Sequence, residues 1–438
     1  MHGCLQLSLH YGYHGIFYLF KWSAMIGQKY YTNIVKLFIT LVVIDFDGDF
    51  LIRQEEGIFN SIQNLIRIWI VVLLLIIGFA GVFNIGRLTR VRSVGLICLG
   101  AILAIFGYGV VYGVLANNPT GAVREFIAVA PLVMILGFVK LERGRLIGIA
   151  KYLIYSLILV LGVKILISQV VSISIYGNLS WKVLLRLSPM LLLPYAYILV
   201  RIIKGDRKRW DPVLLCVVAV EIFMAQARAL NVSLFLVTLI ILATGKLSRR
   251  SVITIMVVGI AAISAIALTG GAIENVFGIW SGENFSGSAD YRVEQFEILI
   301  DRYASSPLTG FGFGYFTPGY EAYEELANSY LLELDLMNFT TKVGLPLSVV
   351  YAFTYILFLL QYRKTKYPDR TSQVLAFSYL LTLFAILFYS VFQTGHSGMT
   401  YWLVYAIAFA FVFIKGTRMQ EPRGTRLRNE PGFASQCR

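Results

Sequence analysis

Four arginines lie at or near external helix ends, where the preference of basic residues for cytoplasmic loops does not explain them. Arg124 follows NPTG, Arg186 lies near the start of an apolar block, Arg228 sits in AQARALNVS and Arg292 in SADYRVEQF. Arg228 has apolar blocks on both sides, so it lies nearly in hydrocarbon, where a cation is tolerated only if paired or hydrated. A guanidinium offers a planar fork of donors that suits a diphosphate, and donors of that kind stabilise a departing phosphate. The plain alternative is a snorkelling side chain, or one paired with a loop carboxylate.

Groups able to take a proton lie nearby in the sequence. Thr317 and Pro318 read as an N-cap and first helical residue, opening a helix over about 318 to 337. At 100° per residue its apolar face is Tyr320, Tyr323, Ala327, Tyr330 and Leu334. Glu321, Glu324, Asn328 and Asp335 fall in a stripe roughly 60° wide beside it. Such a stripe is either a solvated edge or the wall of a sugar-binding cleft, with one carboxylate as general base. His396, in QTGHSGM, is a third candidate base or else a turn residue between two glycines. Just upstream, Ser288 can cap a helix whose Val293, Phe296, Ile300 and Tyr303 recur at helical spacing. That helix stops at Ser305-Ser306-Pro307, and PLTGFGFG follows. The glycines allow a ligand-facing turn or a structural turn that packs its aromatics.

The elements positioning these residues are membrane helices. The chain has 438 residues, 58% apolar and 14% charged, with a mean hydropathy of +0.72. That is too little charge to cover a globule in water. Apolar blocks of bilayer-spanning length fall near 31–45, 65–83, 94–115, 124–139, 147–168, 183–203, 212–227, 230–245, 251–269, 343–361, 373–392 and 399–415. The expected architecture is an all-α polytopic membrane protein of about twelve transmembrane helices.

Basic residues then assign sides. Arg87, Arg90 and Arg92 share one loop; Lys140, Arg143, Arg145 and Lys151 belong to the next but one. Lys204 to Arg209, Lys246 to Arg250, Arg363 to Arg370 and the tail from Arg418 continue the alternation. Every second loop is basic, so those loops and both termini are cytoplasmic. The net charge of +14 follows from topology and from attraction to membrane lipids, and nucleic acid is not an expected partner. The domains read as a membrane bundle over 1–269, a large external loop over 270–342, membrane helices over 343–415 and a basic tail over 416–438. That loop is partly helical and carries eleven carboxylates against Arg292, Arg302 and Lys342.

Cys4, Cys98, Cys216 and Cys437 show no metal-ligand or disulfide spacing, and no metal or cofactor is expected. The first thirty residues lack the pattern of a cleavable signal; residues 1–24 read as an interfacial segment, or translation starts at Met25. No nucleotide-binding fingerprint is present, so a lipid-linked donor is the simpler inference if a sugar is transferred.

Together these features resemble the bacterial family of O-antigen polymerases and O-antigen ligases. The likeness rests on many spans, a large external loop before the last three, Arg228 ahead of a span, Arg292 followed by SSPLTGFGFGYF, and KVGLP at the entry to the next span. It implies a periplasmic loop, a bacterial inner membrane, and undecaprenyl-diphosphate-linked oligosaccharides as substrates, with a chain-length regulator as a further partner. It also implies metal-independent inverting transfer of one chain onto another. On this reading Arg228 and Arg292 stabilise the leaving group, Arg124, Arg186 and Asn328 join them in binding substrate, and Glu324, Asp335 or His396 is the base. Ligases of this family usually carry a His-Asn pair where Ala327 precedes Asn328 here, which favours polymerase. A ligase, or a flippase for lipid-linked oligosaccharide, is the competing expectation.

Overall fold

The computed structural model describes residues 27–44, 58–82, 84–174, 189–224, 228–245, 248–249, 252–257, 259–260, 283–315, 334–391 and 398–415. They are almost wholly helical, and pairing of the strand type among them is confined to one isolated bridge, Val91 with Ile414. The helices are α1 (Gln28–Ile44), α2 (Ile58–Val82), α3 (Ser93–Ala116), α4 (Pro119–Val129), α5 (Met134–Phe138), α6 (Arg143–Ser174) and α7 (Leu192–Ile203). They continue as α8 (Asp211–Met224), α9 (Arg228–Thr244), α10 (Glu283–Ser305), α11 (Asp335–Val343), α12 (Leu345–Lys364), α13 (Arg370–Tyr389) and α14 (Met399–Phe413).

Among the described residues five stretches are long and apolar enough to cross a bilayer: Leu65–Val82, Ser93–Ala116, Pro119–Phe138, Leu345–Lys364 and Arg370–Tyr389. Pro189–Ile203, Ala229–Thr244 and Met399–Phe413 are shorter apolar helices. The block expected at 124–139 is interrupted: Pro131 lies in a 3₁₀ turn over Ala130–Val133, because proline lacks an N–H and clashes with the preceding turn. Asn118 caps α4, its side chain accepting from the Thr120 and Gly121 amides, with Pro119 as the first helical residue. The block expected at 251–269 is described only at 252–257 and 259–260, where it is helical.

Around α14 the bundle closes. Every residue from Thr400 to Phe413 is buried, which suits a helix apolar on all sides. It contacts α13, α5, α12, α4, α1, α3 and α6. All of α7 is buried likewise, between α13, α8 and α9.

Contacts between loops sort the helix ends into two groups. At one end, the Arg92 amide donates to the Phe413 carbonyl, Arg143 Nε to Ser372 Oγ and Thr365 Oγ1 to the Val412 carbonyl, gathering several of the basic loops. Buried Arg201 there pairs with Asp211 at 3.2 Å, holding α7 to α8. At the other end, Phe313 meets Gly109, Lys342 meets Glu125 and Leu336 meets Ser390. The helices α3, α12 and α13 each run between the two groups.

Candidate functional site

The glycine-rich segment meets protein backbone on both of its sides. The Phe311 and Gly312 amides donate to the Thr341 and Lys342 carbonyls, at 3.1 and 2.8 Å, and the Leu345 amide returns a bond to Pro307. On the opposite side the Phe313 amide donates to the Gly109 carbonyl at 2.8 Å, while Asn117 Nδ2 donates to the Phe311 and Phe313 carbonyls. Gly310 and Gly312 have φ of 66° and 82°, a region L side chains avoid. A Cβ on Gly312 would lie 2.8 Å from the Gly113 nitrogen, and one on Gly310 2.6 Å from the Gly344 nitrogen. Phe313 is 2% exposed, with its ring 5.4 Å from Phe106 and near Phe339. Of the two readings of PLTGFGFG, the structural turn fits: it is a wedge between α3 and the α11–α12 junction.

Beside the wedge, Lys342 Nζ donates to Glu125 Oε1 at 2.6 Å, both side chains being largely withdrawn from solvent. Nearly two turns before Thr341, Asp335 opens α11 with its side chain buried. A carboxylate there faces the positive end of the helix dipole. The following amide, Leu336, donates to the Ser390 carbonyl at 2.9 Å, fastening α11 to the end of α13. Behind Asp335 lies a hydroxyl chain. Tyr401 of α14 hydrogen-bonds Tyr355, whose hydroxyl lies 2.6 Å from that of Tyr351, and all three are buried.

Two expectations for this region need correcting. The helix expected over 318–337 does not run through to its end, because Leu334 has φ −79° and ψ 64° and α11 starts afresh at Asp335. Asp335 therefore belongs to α11 and not to the stripe of Glu321, Glu324 and Asn328. The upstream helix begins at Glu283, ahead of Ser288. Val293, Phe296 and Ile300 are exposed, while Leu299 is buried in a small cluster with Leu334 and Met337. An outward apolar stripe is what a helix lying on a bilayer surface presents.

Of the other sequence candidates, Arg124 lies in α4 next to Glu125, Arg228 is the first residue of α9, and Arg292 lies within α10. Each of these three is described by its backbone. At its far end α9 reaches Gly245, which packs on Ile203 beside the basic loop, so Arg228 opens α9 at the end that holds Asp335 and Lys342. Arg186, Glu324, Asn328 and His396 lie outside the described residues, so the structure neither joins them to Asp335 nor separates them from it.

One group escaped the sequence reading. Glu221 of α8 is 3% exposed, and neither carboxylate oxygen has a hydrogen-bond partner among the described residues. It precedes Arg228 by seven positions. The signal was a lone carboxylate inside the apolar block 212–227, where an ionisable residue is a functional candidate by default. The Lys342–Glu125 pair, by contrast, joins residues 217 positions apart and left no local signal.

Comparison with known families bears on the same stretch. Residues 213–335 match the family model described as O-antigen ligase. The match begins in α8 and runs through α9, α10 and the glycine wedge to the first residue of α11. It takes in Glu221, Arg228, Arg292, Glu324, Asn328 and Asp335, and it agrees with the resemblance drawn from the motifs. Arg124, Arg186 and His396 fall outside it. No curated protein matches the chain.

Proposed function

We propose that this protein transfers glycosyl units between lipid-linked oligosaccharides at the membrane, and that it polymerises undecaprenyl-diphosphate-linked repeats into a surface polysaccharide such as O-antigen. The family match over 213–335 carries this reading, because it covers the residues whose chemistry a diphosphate leaving group and a sugar acceptor require. Polymerase is favoured over ligase by Ala327, which stands where the ligase pattern has histidine.

In the proposed reaction an acceptor hydroxyl attacks the anomeric carbon of the donor, and the bond to the polyprenyl diphosphate breaks with inversion. Arg228 and Arg292 neutralise the charge growing on the leaving diphosphate. The acceptor proton passes to Glu324, Asp335 or His396. Asp335 is held in place by the α11 start and the Leu336–Ser390 bond. No cofactor or metal takes part in this scheme.

The test is a deletion in the producing bacterium, read as lipopolysaccharide on a gel. Loss of the long ladder with retention of a single repeat is the expected result. Loss of the single repeat as well would replace polymerase by ligase or flippase, and an intact ladder would reject all three.

A further inference from the structure

At the end opposite Asp335, three cations from separate parts of the chain line one open pocket. Arg90, Arg143 and Lys415 share its wall with Phe138, Leu146 and Ile414. Their nearness is built into the backbone. Val91 and Ile414 form an antiparallel bridge, and the Lys415 amide donates to the Arg90 carbonyl at 3.0 Å, which sets the two residues side by side. Arg143, at the start of α6, is fixed by its Nε bond to Ser372 and by stacking over Phe411 at 4.6 Å. That bond uses Nε alone, so the two terminal nitrogens of its fork have no hydrogen-bond partner among the described residues.

Charge in this pocket is not neutralised from within. Its lining contains no carboxylate. Among the described residues none of the three cations has an ion-pair partner within bonding distance; Asp369, near Arg143, spends both oxygens on Ser372. Burial accordingly pushes the Arg143 guanidinium below its usual pKa, with Tyr367 and Asp369 opposing that shift. Three cations gathered at one mouth, with the nearest carboxylate, Asp369, already bonded to Ser372, suit an anionic group offered by the membrane.

We propose that this pocket binds the phosphate of an anionic membrane lipid, with Arg90, Arg143 and Lys415 around the headgroup and the partly exposed Ile414 nearest the first acyl carbons. Lipids of that kind are enriched where basic loops gather, and basic pockets between membrane helices hold such headgroups. The site lies at the far end of the bundle from Asp335, so it stands or falls independently of the proposed transfer reaction.

The full chain, purified and delipidated in an uncharged detergent, tests this by thermal unfolding and native mass spectrometry. The probes are phosphatidylglycerol, phosphatidylcholine and glycerol 3-phosphate at equal concentration. Phosphatidylglycerol should raise the unfolding midpoint and remain bound in the spectrum, and the other two should do neither. Arg90→Gln with Lys415→Gln should weaken phosphatidylglycerol binding by roughly tenfold or more. Lys364→Gln, an exposed cation outside the pocket, should leave it unchanged. If the double variant does not fold, Lys415→Gln alone serves, since the bridge uses the Lys415 backbone and not its side chain. Equal stabilisation by phosphatidylcholine or by glycerol 3-phosphate overturns the lipid assignment. So does wild-type affinity in the pocket variants, or an equal loss in Lys364→Gln.

Discussion

Lys342 and Glu125 form a 2.6 Å ion pair between α11 and α4, and Lys342 is only 4% exposed. Removing one partner of such a pair leaves a charge in a poorly hydrated place. Glu125→Gln should therefore destabilise the protein by about 3 kcal/mol or more. Glu125→Leu combined with Lys342→Met should be milder than either single change, because no charge is then left behind. Thermal unfolding in detergent measures both, and additive losses in the double variant would show that the pair is not a unit.

The wedge leads to a sharper expectation. Gly312→Ala forces a side chain into φ 82° and against the Gly113 backbone, at about 1–2 kcal/mol for the conformation alone. Helices α3 and α11 would have to separate to admit it. The variant should be depleted from membranes. Normal abundance would mean that the close approach of these backbones does not matter.

Arg228 separates recognition from charge. Arg228→Lys keeps the cation but loses the planar fork, so the protein should accumulate normally while most polymerisation is lost; Arg228→Ala should be at least as severe. Arg302→Ala, on α10, should be milder. Ladder formation is scored beside membrane protein level. A normal ladder at normal abundance in Arg228→Lys would return this residue to the snorkelling reading.

Topology can be checked without any assay of activity. Reporter fusions at Gly205 and Thr365 should read cytoplasmic, and fusions at Asn284 and Gly395 external. An external signal at Gly205 would overturn the assignment of every neighbouring loop.

What the sequence made legible follows from how local the signal was. Alternating basic loops and apolar blocks depend on neighbours in the chain, and the helices α1, α3, α12 and α13 came out close to where those patterns put them. The role of the glycine segment was left open because its partners are remote. Gly109 and Gly113 of α3 carry the small-xxx-small spacing that admits a close neighbour, but nothing in that spacing says that the neighbour is Phe313, some two hundred residues on. On α10 the spacing of Val293, Phe296 and Ile300 marks an apolar face without saying which side it turns to. An apolar stripe faces the core only when water is the solvent outside. Glu221 stands alone inside an apolar block, away from the charges that cluster at the rim of the membrane, so no pattern groups it with them.

The encased position of α14 has a consequence for biogenesis. It follows every other described helix in the chain, yet α1, α3, α4, α5, α6, α12 and α13 all pack on it, so it leaves the ribosome after these neighbours are already made. Until it inserts, α3, α12 and α13 lack a shared core, and the buried faces of Tyr355, Phe358 and Tyr379 have no α14 to close on. Final closure of the bundle therefore waits for α14. A chain halted before Met399 would lack its axis and not merely an edge, and the residues that fasten α11 to α13 would then be held by an incomplete frame.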